Sequence, residues 1–449
     1  MTHAVPSSRR PTPAQLAWQR AGMGMFCHFG INTFFDKEWS DGTLPPSGFA
    51  PTDLDARQWV DTAVDAGMRY VVLTAKHHDG FCLWPTDTTD YSVRSSPWRG
   101  GRGDVVEELA QACRDAGLGL GLYLSPWDRN AACYADPAAY DDFYVRQLTE
   151  LCTRYGPLFE VWFDGAGSEG RVYDWDRIMD VLDRHQPDAM VFNMGRPTIR
   201  WVGNEDGLAA DPCEYVVSAV DGDTGSEGGD RAWLGEGRYL PPECDVPIRR
   251  HWFWQSDDLA TLKSLEHLLA IHQRSVGLGA GLLLNVPPDR RGLLDDHDRA
   301  RLGEFGAELR RRFGSGRPGV LTAEPDPTTR SGAPTDAGTT DAVTTVVRVD
   351  LGARMSFDHV VLGEDLAAGQ HVTAHEVLVD GTVVAAGGTI GVRRIHPFGE
   401  VTADRLEIRL TGAGAALAEV TAHRTGVTRA PDLEEQPDFS AEKVDAPAT

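Results

Sequence analysis

From its start to about residue 313 the chain alternates two kinds of segment, and this order restricts the fold more than anything else in it. Short continuous apolar runs ("GMFCHFG", "RYVVLTAKHH", "LGLGLYLSP", "LFEVWFDG", "AMVFNMG", "GAGLLLNVPP") have the pattern of strands buried on both faces. Between them lie helix-length amphipathic stretches: "DARQWVDTAVDAG", "GDVVEELAQACRDAG", "YDDFYVRQLTELCTRYG", "YDWDRIMDVLDRHQP" and "DLATLKSLEHLLAIHQRSVG". Several end on Gly or Pro, as helices do. Strand, helix, strand, helix is the order of a parallel sheet. An open doubly wound sheet would gather its reactive groups at one switch point, whereas a closed barrel collects them from every strand end. Here His28, His77, His78, Tyr123, Trp127, Trp162, Asp164 and Asn193 all fall at or just past the ends of different strands. The reading is therefore an α/β chain, a (β/α)8-like (TIM) barrel over residues 1–313.

Residues 314–340 are rich in Gly, Pro, Ser and Thr and read as a linker. The segment 341–426 changes character: "TTVVRVDLG", "FDHVVLGED", "HEVLVDGTVVAAGG", "DRLEIRLTG" and "LAEVTAHRTG" are short alternating strands, the pattern of a C-terminal antiparallel β-sandwich. Residues 427–449 are polar and acidic and are expected to be a disordered tail.

The 449 residues carry 67 Asp and Glu against 43 Lys and Arg, a formal charge of −24, which opposes binding to nucleic acid or an anionic membrane surface. No window approaches the roughly 20 apolar residues of a membrane span. The N-terminus has arginines but no apolar block after them, so no secretory signal is read. Seven scattered cysteines without a Cys-x-x-Cys pair favour reduced thiols, and the expected location is the cytoplasm, with secretion left open.

In "LFEVWFDG", alternation puts Trp162 and Asp164 on the same side of a strand. An indole for a sugar face beside a carboxylate for an anomeric carbon is the equipment of a glycosidase. A retaining glycosidase needs a second carboxyl about 5 Å away. Glu205 in "IRWVGNEDG", near Trp201, is the candidate; Asp206, Glu214 and Glu243 compete. His28 and the pair His77 and His78 stand beside glycines at strand ends and suit hydroxyl recognition. His185, His267, His272 and His297 lie on helical stretches and read as structural. Zinc held by the His28, His77 and His78 cluster with Asp79 is the rival reading, a metal-dependent hydrolase. Against it, adjacent strand residues point to opposite sides. A third reading is a carbohydrate-binding protein without catalysis. Trp39 in "EWSDG" and Trp252 and Trp254 in "RHWFWQSDD" add aromatic surface beside carboxylates.

Taken together, "CHFGINTF", "EWSDG", "AKHHDGFCLW", "GLYLSPWD", "EVWFDGAG", "RWVGNEDG", "PPECDVPIRRHWFW" and "GLLLNVPPDRRG" closely resemble the α-L-fucosidases of glycoside hydrolase family 29, in the expected order over residues 22–294. The resemblance implies a retaining mechanism without metal or other cofactor, with Asp164 as nucleophile. It implies hydroxyl binding by His28, His77 and His78, and substrate binding by the matched Glu38, Trp39, Tyr123 and Trp162. "GNEDG" and "PPECD" look like the branch acting on α-1,3 and α-1,4 linkages of fucosylated oligosaccharides, with Glu205 as general acid/base and Glu243 as its fallback.

Overall fold

The computed structural model describes residues 7–168, 170–221, 231–325 and 343–433. Helix α1 (Pro13–Ala21) precedes strand β1 (Met23–Cys27). Then follow α2 (Ala56–Ala66), β2 (Tyr70–Lys76), α3 (Val105–Ala116), β3 (Gly119–Leu124), α4 (Pro137–Arg154), β4 (Glu160–Trp162), α5 (Trp175–His185) and β5 (Met190–Phe192). Strand β6 (Arg200–Trp201) follows β5 through a short loop with no helix between them. An antiparallel hairpin, β7 (Val216–Asp221) and β8 (Arg231–Tyr239), leads to β9 (Pro242–Pro247), α6 (Leu265–Arg274), β10 (Gly281–Asn285) and α7 (Asp296–Phe313).

Eight of these strands form one parallel sheet in the order β5-β4-β3-β2-β1-β10-β9-β6, and a bridge from Phe192 to Ile199 brings its two ends together. This is a (β/α)8-like barrel. Its β1 and β2 are buried at every position, as covered parallel strands must be. The helices start on local signals. Asp55, Asp104, Asp136 and Asp174 each accept a backbone N–H of the first turn of α2 to α5, a cap worth about 1 kcal/mol apiece. Gly67 and Gly117 end α2 and α3 at φ 85° and 70°, a conformation open to glycine without strain. The expected long helix over 258–277 is shorter: it begins after Ser264, whose hydroxyl accepts from His267 N, and residues 259–261 form only a 3₁₀ turn.

The barrel lumen is packed by Phe26, Tyr70, Val72, Tyr123, Trp162, Phe192 and Leu283, with the Trp162 and Phe192 rings stacked at 3.7 Å and 8°. Trp18 of α1 joins this cluster and donates to Glu160 Oε2 at 3.0 Å.

Residues 317–325, read from the sequence as part of a linker, instead form strands β11 (Arg317–Pro318) and β12 (Val320–Pro325); 326–340 lie outside the described residues. Pro318 and Pro325 sit within these paired strands, and Gly319 joins them. The sheet continues with β13 (Thr344–Glu364), β14 (Ala374–Val379), β15 (Thr382–Gly387), β16 (Arg394–Thr411) and β17 (Leu417–His423). Where the sequence suggests two strands before residue 365, β13 is continuous. It pairs with β12 and the end of β16, passes a register shift between Asp350 and Met355, then pairs with the start of β16 and with β17. Bending β13 and β16 through both layers closes the β-sandwich over Val347, Phe357, Val360, Ile408 and Val420. Residues 427–433 of the expected tail have no helix or strand, and 434–449 lie outside the described residues.

The sandwich seats on the barrel by specific bonds. Tyr215 donates to Gly279 O and accepts from Val392 N, and Arg394 donates two hydrogen bonds to the Asp211 carboxylate at 2.9 and 2.7 Å.

Lys76 ends β2 with no exposed surface, bonded to Asp128 Oδ2 at 2.9 Å and Gln147 Oε1 at 3.0 Å. Asp128 Oδ1 also takes the N–H groups of Asn130 and Ala131, so this pair ties the turn after Lys76 to the loop after β3. Asp128→Ala would strand a buried ammonium ion, and a loss of about 3–5 kcal/mol is expected in chemical denaturation. A loss below about 1 kcal/mol would show that the pair carries no such weight.

Candidate active site

Each barrel strand releases its polar side chain at the same end. After β1, His28 donates its backbone N–H to Asn285 Oδ1 at 3.1 Å, and its Nδ1 lies 2.9 Å from the same oxygen. Asn285 Nδ2 donates to Trp252 O at 2.8 Å, so the amide orientation is set and His28 Nδ1 must carry the proton. The Nε2 atom is left as an acceptor. Burial is the main cause that pushes the His28 pKa down to about 3, against the Asn285 bond, so the ring is neutral at ordinary pH.

After β2, His78 Nδ1 is 2.7 Å from Ser125 Oγ, whose own proton goes to Trp127 O. His78 Nδ1 is therefore the donor, and its Nε2 stands 3.6 Å from Asp164 Oδ2. The His77 ring is stacked on Tyr123, and burial holds it well below the usual histidine range. Its buried Nδ1 has no hydrogen-bond partner among the described residues. Among the described residues no group of three His, Cys, Asp or Glu side chains is placed to hold a metal ion.

Asp164 follows β4. Its Oδ2 accepts from Tyr123 OH at 3.0 Å, its Oδ1 accepts from Ala166 N at 2.9 Å, and 26% of its side chain is exposed. Glu205, on the loop after β6, faces the same cleft. Glu38 accepts the N–H groups of Trp252 at 2.8 Å and Phe253 at 3.2 Å, which ties the "EW" segment to the "HWFW" segment. Burial drives its pKa up to about 7 while those two bonds oppose. Trp39 sets its ring edge-on to His78 and Trp127.

Most of the residues singled out in the sequence line one cleft: His28, Glu38, Trp39, His77, His78, Trp162, Asp164, Asn193, Trp201, Glu205 and Trp252, whereas Asp79, Trp127 and Trp254 lie outside its lining. The exceptions are informative. Tyr123 lies one layer behind Asp164, fully buried. Glu243 is buried in the lumen, where Tyr70 OH and Trp162 Nε1 donate to its two oxygens at 2.7 and 3.0 Å. Burial holds both Glu160 and Glu243 above the carboxylate range; the charge of Glu243 raises Glu160 further, whereas the contacts of Glu243 with Glu160, Tyr70 and Trp162 oppose its own shift. Asp206 and Glu214 are exposed and outside the cleft lining.

The sequence did not single out Asp245, Asn285 or Ser125. Asn285 closes the apolar run "GLLLN", so the rule that picks a polar residue at a strand end could have found it. The same rule reaches Ser125, the first residue after the apolar run "GLGLYL".

The arrangement offers neutral imidazole acceptors, indole faces and several cleft carboxyls, Asp164 and Glu205 among them, which together suit a single sugar ring and the bond that leaves it. No helix among the described residues is long and apolar enough to cross a membrane.

Comparison with known proteins agrees with this geometry. A family model described as alpha-L-fucosidase matches residues 3–312. Alpha-L-fucosidase 1 of Arabidopsis thaliana is 47% identical over 309 residues, 68% of this chain but only 61% of that protein's own length. Among solved structures, a glycoside hydrolase 29 family member from an unknown rumen bacterium has a TM-score of 0.77 at 32% identity, covering 99% of this chain and 80% of the other. A Ruminococcus gnavus GH29 fucosidase in complex with fucose has a TM-score of 0.78 at 29% identity, covering 94% and 96%. On the matched family model and these relatives, the chain belongs to the α-L-fucosidases, the hydrolases of glycoside hydrolase family 29.

Proposed function

We propose that this protein is an exo-acting, retaining α-L-fucosidase that releases terminal α-1,3- and α-1,4-linked L-fucose from oligosaccharides through a covalent intermediate on Asp164. The observation that carries the reading is Asp164 itself, half-open to the cleft, bonded to Tyr123 and facing the same space as Glu205 and the imidazoles. The Ruminococcus gnavus relative, which holds fucose, supports the sugar. The acidic chain fits a neutral glycan substrate better than a polyanion. Its seven free cysteines fit a reducing compartment such as the cytoplasm.

In the first step an Asp164 oxygen attacks C1 of fucose as Glu205 gives its proton to the departing glycosidic oxygen, leaving a fucosyl ester with inverted configuration. Tyr123 donates to Oδ2, which orients the carboxylate and keeps its charge in place. In the second step Glu205 takes a proton from water, water attacks C1, and Asp164 leaves, so two inversions restore the α configuration. The Nε2 acceptor of His28 suits a fucose hydroxyl, and Trp162 and Trp39 offer ring faces and edges to its C–H surface. The linkage preference rests on the "GNEDG" and "PPECD" segments.

The test is a panel of α-1,2, α-1,3, α-1,4 and α-1,6 fucosylated oligosaccharides followed by proton NMR during the first turnovers. α-L-Fucose should appear first, and from the α-1,3 and α-1,4 substrates. Initial β-fucose would mean an inverting enzyme, and release confined to α-1,2 or α-1,6 substrates would refute the linkage assignment.

A further inference from the structure

The mouth of the barrel divides into two arcs. His28, His77, His78 and Asp164 follow β1, β2 and β4 on one side of the ring, while Trp201, Glu205 and Asp245 belong to β6, β9 and the loop between them on the other. In the reaction proposed above, fucose occupies the first arc, with its nucleophile and imidazole acceptors. The bond to be cut points at Glu205, so the sugar that departs must meet the second arc.

Asp245 is the member of that arc with no role yet. It stands two residues after Glu243 on β9, and on an extended strand both side chains project into the barrel. Glu243 stops in the lumen and Asp245 reaches the cleft, only 3% exposed. Its Oδ1 accepts the Trp201 indole N–H at 2.8 Å, and among the described residues no other side chain bonds the carboxyl. Burial, then the charges of Glu205 and Glu243, hold it well above the usual carboxylate range, with the Trp201 bond opposing. Asp245 thus lines the cleft with one oxygen held by Trp201 and a second that no side chain among the described residues engages.

Resting on the fucosidase reading, we infer that Asp245 is an aglycone-binding residue: its second oxygen, in the cleft that Glu205 also lines, forms a hydrogen bond with a hydroxyl of the sugar that carries the fucose. Trp201, held by the first oxygen, supplies the adjoining wall. Specificity for the leaving sugar thus sits on β9 and β6, apart from the fucose-binding imidazoles. A site built to bond a hydroxyl also rejects aglycones that lack it, because its polar group is then left unpaired.

Asp245→Ala and Asp245→Asn separate this role from simple support of Trp201. Asn can accept from the indole and still bond a hydroxyl through its amide. Asp245→Ala should lower kcat/KM on a branched trisaccharide bearing α-1,3- or α-1,4-linked fucose by roughly tenfold more than on an aryl fucoside. Asp245→Asn should recover most of the difference. Equal loss on both substrates, or an Asn variant as impaired as Ala, would overturn the assignment.

Calorimetry in the Asp164→Asn background makes the test independent of turnover. Adding Asp245→Ala should weaken trisaccharide binding about tenfold or more while moving free-fucose binding by less than about threefold. Unchanged trisaccharide affinity would sink the inference even in an active fucosidase. The predicted binding change in a wild-type protein that releases no fucose would sink the catalytic reading instead.

Discussion

Asp164→Asn is expected to lower kcat on an aryl α-L-fucoside by about 10³-fold or more while leaving the fold intact. The amide is isosteric with the carboxylate, its oxygen can still accept from Tyr123 OH, and the side chain is partly exposed, so little packing is disturbed. What is lost is the negative charge that makes the oxygen a nucleophile toward C1. Asp164→Ala opens room at the same point for a small anion. With azide present it should form β-L-fucosyl azide, because azide attacks from the nucleophile's face with a single inversion and Glu205 still protonates the leaving group. A variant retaining more than about a tenth of wild-type turnover would remove Asp164 from the nucleophile's role.

Glu205→Ala should separate substrates by their need for a proton. General acid catalysis contributes roughly 10²- to 10⁴-fold, so hydrolysis of oligosaccharides should fall by that order. An aryl fucoside with a good leaving group needs little help in the first step, and the fucosyl-enzyme should accumulate with a burst of phenol because water is no longer activated. Azide, which needs no general base, should restore turnover and yield α-L-fucosyl azide after two inversions. The opposite stereochemistry of the two rescued products assigns the carboxyls independently of rate. Equal loss on both substrate classes, or the selective loss appearing in Glu243→Gln instead, would move the acid/base role away from Glu205. The geometry argues against Glu243, whose oxygens are both engaged by Tyr70 and Trp162 inside the lumen.

Much of the barrel was legible because its strands are covered on both faces and so appear as unbroken apolar runs. Strand β9 was not legible. "PECDVP" carries two prolines and two acids, yet it is buried throughout, because Glu243 and Asp245 point into the lumen and cleft where other side chains partner them. Strand β6 is too short to show periodicity and owes its existence to pairing with β9. The strands at 317–325 were hidden for a related reason: proline and glycine at a sheet margin resemble a loop until the partner strand is known.

The site was legible where function demanded a polar residue at the end of an apolar run, as at His28, His78 and Asp164. Its supports were less visible, since Asn285 and Ser125 act on histidines 257 and 47 positions away.

What the primary structure determines unaided is local: alternating apolar and amphipathic segments, aspartate caps, and the side on which Trp162 and Asp164 emerge together. These depend on backbone geometry within a few residues. Ring closure decides the rest. Only when β6 pairs with β9 does one glutamate face the cleft and another sink beneath Trp162, and only then does burial hold His28 and His77 below the usual histidine range and the buried carboxyls above theirs. Proximity between distant segments, and the exclusion of water that follows from it, are properties of the folded chain alone.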